Sequence, residues 1–162
     1  MAREIERKFL VTGDAWRGQG PGTRYRQGYL STDAERTVRV RTAGGTGFIT
    51  VKGLTEGTAR PEYEYEIPLA DADELLDHLC LRPLVEKTRY RIPAGDVVWE
   101  VDEFDGANRG LVVAEVELRT EDQVVPLPDW IGAEVSGDPR YYNANLVARP
   151  FSTWTARSGE GA

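Results

Sequence analysis

Cysteine, histidine and long apolar runs are almost missing from this chain of 162 residues. Cys80 is the single cysteine and His78 the single histidine, which excludes an intrachain disulfide and leaves a cysteine nucleophile without a second histidine to serve as its base. Cys80 therefore reads as a small core residue and His78 as a surface side chain. No stretch approaches the roughly 18 apolar residues that a membrane helix needs, and the opening Met-Ala-Arg-Glu carries no apolar segment of the kind found in a signal peptide. A cytoplasmic protein, not associated with membranes, is the expectation. Positive charge is also short: 20 Lys and Arg against 27 Asp and Glu give a net charge of -7, which argues against nonspecific binding to nucleic acid or anionic lipid. Gly44, Gly45 and Gly47 are not followed by Gly-Lys-Ser or Gly-Lys-Thr, so they mark a hairpin and not a phosphate loop. Neither an internal repeat nor a low-complexity block is present.

What the chain does have is charge at every second position. Glu4, Glu6 and Lys8 alternate with Ile5 and Arg7, and the device recurs at Arg39 and Arg41, Lys52, Glu62 and Glu64, Lys87 and Arg89, Glu100 and Asp102, and Glu115 and Glu117. Successive side chains of a strand face opposite sides, so nearly every strand has one charged face and one that is mostly apolar. An antiparallel sheet with one wet face also alternates, but it seldom repeats doublets of like charge. Like charges two residues apart repel, and the expected compensation is a ligand. A lumen carrying Lys8, Arg39, Arg41, Lys52, Lys87 and Arg89 suits a polyanion, with Arg as bidentate forks and Lys as point charges. Its carboxylates suit divalent cations that bridge to that polyanion, which is the chemistry of phosphoryl transfer.

Eight extended segments are legible, over about 3–11, 23–31, 36–43, 47–53, 61–68, 85–92, 97–104 and 111–119, separated by Gly- and Pro-rich turns. That count and spacing favour an antiparallel barrel. Asp71 to Leu79 reads as a helix with early acids and packs outside the strands. Further helical stretches are expected near Pro128-Asp129-Trp130-Ile131 and near Pro139-Arg140-Tyr141-Tyr142. Residues 1–150 read as a single domain and 151–162 as a flexible C-terminal tail.

The ordered series E-x-E-x-K, R-x-R, K, E-x-E, K-x-R, E-x-D and E-x-E, from Glu4 to Glu117, resembles the CYTH superfamily, the triphosphate tunnel metalloenzymes. The likeness extends from residue 4 to about 146 and resembles most the short bacterial inorganic triphosphatases. It implies an α+β, mainly β fold: an eight-stranded, closed antiparallel barrel with a charged lumen and a few peripheral helices. It also implies metal-dependent hydrolysis of inorganic tripolyphosphate or a related short triphosphate. Lys8, Arg39, Arg41, Lys52, Lys87 and Arg89 would then bind phosphate, and Glu4, Glu6, Glu115 and Glu117 would hold Mg2+ or Mn2+. Glu4, Glu6, Lys8 and Glu117 form the expected catalytic group, with Glu62, Glu64, Glu100, Asp102 and Tyr29 in support. The partner implied is a small-molecule triphosphate, with no nucleic acid and no membrane, and a homodimer is left open.

Alternatives on the same tunnel are a class IV-type adenylate cyclase, which must also hold a nucleoside, and a thiamine triphosphatase. A different class of function, a non-catalytic polyphosphate-binding module, would need the cations without the paired glutamates.

Overall fold

The computed structural model describes residues 3–154. Among the described residues there are nine strands: β1 (Arg3–Val11), β2 (Gly22–Ser31), β3 (Thr37–Ala43), β4 (Thr46–Lys52), β5 (Ala59–Ile67), β6 (Val85–Ala94), β7 (Val97–Phe104), β8 (Val112–Glu117) and β9 (Ile131–Glu134). Two helices, α1 (Leu69–His78) and α2 (Asn145–Ala148), accompany them. The hydrogen-bonded order is β5-β4-β3-β2-β6-β7-β8-β1-β9, and pairing of β5 with β1 closes a ring of eight strands. Every pairing is antiparallel. The first residues of β1 meet β5, with Glu4 opposite Arg60, while its far end meets β9, with Val11 opposite Ile131.

Alternation within the strands sorts side chains between two environments. Glu4, Glu6, Glu100, Glu115 and Glu117 line the interior, whereas Phe9, Trp99, Val101, Ala114 and Val116 join an apolar cluster on the other side of the same strands. Small barrels ordinarily fill their interior with packed side chains. Here the lumen is polar, so most apolar burial has moved outside the ring. Trp16, from the β1–β2 connection, and Val125 and Trp130, from the segment before β9, cover the outer face of β1, β7 and β8. Phe9 and Trp99 meet edge to face with centroids 5.5 Å apart, and Trp99 and Trp130 at 6.1 Å, geometries that the ring quadrupoles favour. The β1–β2 connection lies so close to β6 that a Cβ on Gly20 would stand 1.9 Å from the Arg91 carbonyl oxygen.

Two other clusters complete the packing. Ala72 and Leu76 of α1 lie against Val40 and Cys80, with Ile49 and Ile67 alongside, which puts the helix outside the barrel as its apolar spacing predicts. At one end of the lumen, Tyr29, Val85, Phe104 and Val113 pack with Leu146 and Val147 of α2. Tyr141, Phe151 and Trp154 close over that cluster. Phe151–Thr153 form a 3-10 turn at the start of the segment read as a tail; residues 155–162 of that segment lie outside the described residues.

The helix expected near Pro128 is absent. Pro128 instead opens a turn, with the Ile131 N–H bonded to the Pro128 carbonyl at 3.0 Å, and Ile131 enters β9. A proline followed by an acid mimics a helix start, but the edge of β1 left open beyond β5 offers this segment a strand partner. Near Pro139 the chain makes a 3-10 turn, Pro139–Tyr141, capped by the Asp138 carboxylate, which accepts from the Arg140 N–H at 3.1 Å. The regular helix starts later, at Asn145.

Trp99 is fully buried at the centre of the outer cluster. Trp99→Ala should lower the unfolding free energy by about 3–5 kcal/mol, the range for truncating a large core aromatic, as measured by urea denaturation. Leu79→Ala, at a position that is 66% exposed, should change it by less than about 0.5 kcal/mol.

Candidate active site

One polar cavity of about 770 Å3 runs through the barrel interior. Of the residues singled out by alternation, Glu4, Glu6, Lys8, Tyr29, Arg39, Arg41, Lys52, Glu62, Glu64, Lys87, Arg89, Glu100, Glu115 and Glu117 all line it. Asp102 does not. It faces inward but lies fully buried beneath the lining cations, where its Oδ1 accepts from Arg89 Nε at 2.7 Å and its Oδ2 from Arg89 Nη2 and Lys87 Nζ, each at 2.8 Å. With both oxygens engaged, Asp102 holds cations in place and has no free face toward a metal or water.

The lining is balanced in formal charge. Seven cations, Lys8, Arg39, Arg41, Lys52, Arg60, Lys87 and Arg89, face seven glutamates, at 4, 6, 62, 64, 100, 115 and 117. The expectation that repelling doublets need a ligand for their compensation is therefore corrected: neighbouring strands supply counter-charges. Lys52 Nζ lies 2.8 Å from Glu4 Oε1, Lys8 Nζ 3.4 Å from Glu115, and Arg39 and Arg41 each 3.4 Å from Glu64. Arg89 also reaches Glu100 at 3.1 Å and Glu115 at 3.5 Å. Strand register is the cause, since Lys8 pairs with Glu115, Arg89 with Asp102 and Lys52 with Glu62 across adjacent strands.

Balance in total is not balance at each position. Burial, together with the Glu115 and Glu4 carboxylates, pushes the Glu6 carboxyl well above its usual range. Glu117 is raised by burial and by Glu4, Glu62 and Glu100, and Glu62 by burial and Glu4. Across the lumen the opposite holds: burial and the Arg39 and Arg89 guanidiniums destabilise the charge of Arg41, and burial lowers Lys87 to about 8 despite Asp102. Burial opposes the charge of Glu115 too, but Lys8 and Arg89 outweigh it and hold that carboxylate below the ordinary value. Lys52 and a hydrogen bond from Glu6 likewise outweigh burial at Glu4. On one side of the cavity carboxylates crowd one another; on the other, Arg41 is crowded by Arg39 and Arg89, while Arg89 itself is held firmly charged by Asp102, Glu115 and Glu100.

The acidic side offers oxygen donors only, which fits Mg2+ or Mn2+ better than softer metals. No three Asp, Glu, His or Cys side chains among the described residues converge into a ready-made ion cage. Magnesium commonly takes one or two carboxylates and completes its shell with phosphate oxygens and water, so the hydrogen-bonded Glu4 and Glu6 pair, with Glu117 nearby, fits such an ion. On the basic side, Arg39 Nε and Arg41 Nε are buried without a hydrogen-bond partner, donors that an anion would satisfy.

Several lining or supporting residues escaped the sequence reading. Arg60 continues the inward alternation of Glu62 and Glu64, a signal that was present. Tyr25 precedes Gln27 and Tyr29 on the inward face of β2, and the Arg41 and Arg89 guanidiniums stand 4.9 and 5.1 Å from its ring centroid. Ser136, Tyr142 and Asn143 come from the irregular segment after β9, where no periodicity marks them. Ser136 Oγ accepts from the Lys8 N–H at 2.9 Å, and the Tyr141 carbonyl accepts from Lys8 Nζ at 2.9 Å, so this segment fixes Lys8 at both its backbone and its tip.

Comparison with known proteins agrees with this geometry. The CYTH domain family profile matches residues 2–151. An inorganic triphosphatase of Acetivibrio thermocellus is 51% identical over 154 residues, covering 95% of this chain and 99% of that protein. An inorganic triphosphatase of Nitrosomonas europaea is 39% identical over 149 residues, covering 89% and 96%. The crystal structure of an inorganic triphosphatase superposes with a TM-score of 0.64 at 37% identity, covering 88% of this chain and 96% of that one.

Asp102→Asn removes the one anion that two buried cations share while preserving its shape. Breaking such a cluster should lower stability by about 3–5 kcal/mol, measured by urea unfolding. Adding Lys87→Met to that variant should restore part of the loss, because one uncompensated charge goes with it.

Proposed function

This chain belongs to the CYTH domain family, and from that premise we propose that it is a divalent-metal-dependent hydrolase that releases phosphate from inorganic tripolyphosphate. The observation that carries this reading is the double imbalance inside one cavity, where crowded carboxylates face crowded guanidiniums. A metal-bound polyphosphate supplies a cation to the first group and an anion to the second.

Arg39, Arg41 and Arg89 grip phosphate oxygens as forks, and Lys8, Lys52 and Lys87 as point charges. Glu4, Glu6 and Glu117 hold Mg2+ or Mn2+, with Glu115 kept ionised beside Lys8. When bound, such an ion neutralises phosphate oxygens and lowers the pKa of a coordinated water. The remaining work falls to the chain itself: it aligns the phosphorus chain and presents fixed charges where negative charge spreads in the transition state. Lys8, tethered at both ends, is placed to orient the attacking water or a terminal phosphate oxygen. Glu62, Glu64, Glu100 and Asp102 keep the cations aimed inward. Tyr29, which lines the cavity yet packs with Val85 and Phe104, shapes its apolar end.

A bare phosphate chain suits the cavity better than a nucleotide or thiamine ester. Tyr29 and Tyr142 are the aromatic side chains lining it among the described residues; Tyr29 belongs to the packed cluster, and the Tyr142 ring faces Lys8 Nζ at 5.8 Å. Tyr29 is thus committed to packing, and Lys8 occupies one face of the Tyr142 ring. No helix among the described residues is long and apolar enough to cross a membrane, and a free, buried Cys80 suits the reducing cytoplasm. Phosphate release from tripolyphosphate, ATP and thiamine triphosphate, measured side by side, tests the substrate assignment.

Glu4→Gln and Glu6→Gln keep side-chain shape but remove anionic ligands. Metal-dependent turnover of tripolyphosphate should fall by roughly 10²-fold, while calorimetry should still detect tripolyphosphate bound by the Lys and Arg side. Glu56→Gln, in the exposed β4–β5 loop, should turn over like the wild type. In the same calorimetric assay, Arg39→Ala or Arg41→Ala should weaken binding about tenfold or more, and Arg82→Ala, remote from the cavity, should not.

The lowered pKa of Lys87, about 8, gives a pH dependence. Below it the ammonium is present and attracts phosphate; as pH rises through about 8 the charge is lost, so kcat/KM should decline. Lys87→Arg, which stays protonated, should move that decline to higher pH in a pH–rate profile.

A further inference from the structure

Asn143 lies between the 3-10 turn Pro139–Tyr141 and α2, on a segment with no strand or helix periodicity. Its Oδ1 accepts from Lys87 Nζ at 2.9 Å and from Gln27 Nε2 at 2.9 Å. A lysine ammonium can only donate, so the amide oxygen must face Lys87 and the NH2 group must point the other way. Both lone pairs of that oxygen are used. Nδ2, by contrast, makes no hydrogen bond among the described residues, and Asn143 lines the cavity.

The surroundings hold the side chain in that orientation. Gln27 is fully buried, and its amide also lies 3.4 Å from the Tyr29 hydroxyl. Leu146 and Val147, on the next turn, are anchored in the apolar cluster at the end of the lumen. A side chain that served only to tie this segment to Lys87 would need the acceptor and nothing more. Asn143 also places two unpaired N–H donors on the side where negative charge is wanted.

We propose that Asn143 is a substrate-binding residue: Nδ2 donates to a phosphate oxygen of bound tripolyphosphate while Oδ1 positions the Lys87 ammonium for the same anion. A neutral donor has a physical advantage here. Arg39 and Arg89 already crowd Arg41, so a further cation would add repulsion in the free protein, whereas an amide adds a hydrogen bond without adding charge. Asn143 also links the segment after β9 to the phosphate-binding cations, so closure of the lumen end and grip on substrate share one side chain.

The inference rests on the tripolyphosphate reading, and the test separates the two. Wild-type protein labelled with 15N is titrated with metal-free tripolyphosphate, with the Asn143 side-chain amide followed by NMR and binding followed in parallel by calorimetry. The Asn143 NH2 signals should shift along the calorimetric saturation curve. Asn143→Ala should weaken binding by about tenfold while keeping a cooperative thermal unfolding transition, because Lys87 retains Asp102. Saturable binding with unmoved Asn143 signals, or wild-type affinity in Asn143→Ala, overturns the Asn143 assignment and leaves the tripolyphosphate reading standing. Absence of any saturable binding overturns both.

Discussion

The carboxylate of Asp102, out of contact with water between Lys87 and Arg89, is the constraint on which the rest of this structure depends. Two cations and one anion removed from solvent are tolerable only while each keeps its partners, and Asp102 satisfies both. The register of β6 against β7, which sets Arg89 opposite Asp102, is therefore also an electrostatic lock. A slip of one residue would turn these charges onto the outer face and bring Tyr90 and Val101 inside. From this cluster the pairing spreads through Arg89 to Glu100 and Glu115, and through Glu115 to Lys8.

A lumen built this way cannot serve as the hydrophobic core, and that displaces the core. The outer faces of β1, β7 and β8 are sealed by Trp16, Val125 and Trp130 from connecting segments, and α1 seals β3 and β4. Connections that would be mere surface loops in a barrel with a packed interior are here the other half of the apolar packing. The site is rigid because its walls are strands packed from behind.

Rigid walls allow charge imbalance to persist locally. Seven glutamates and seven cations cancel in number, yet Glu6, Glu117 and Glu62 are crowded by carboxylates on one side and Arg41 by Arg39 and Arg89 on the other. Water reorganising around mobile side chains would relax such strain, whereas buried strands preserve it. The cavity is accordingly prepared for a ligand that carries both signs of charge, and the phosphate chemistry of the similar triphosphatases matches that demand.

Alternation by itself determined the eight barrel strands, the inward set from Glu4 to Glu117 and the outward placement of α1, because period two and period three-to-four follow from backbone geometry alone. Arg60 and Tyr25 were legible by the same rule. What tertiary structure decided was which charges meet. Glu64 beside Arg39 and Arg41, Lys52 on Glu4 and Asp102 beneath Lys87 and Arg89 depend on cross-strand register, which no single strand encodes. It also decided the fate of segments without a pattern. Ile131 became a strand and not a helix because β1 had an open edge, and Ser136, Tyr142 and Asn143 reached the cavity because α2 is anchored in the lumen end by Leu146 and Val147. Local periodicity fixes which face a side chain takes; only closure of the ring, a contact between residues distant in the chain, fixes what stands across from it.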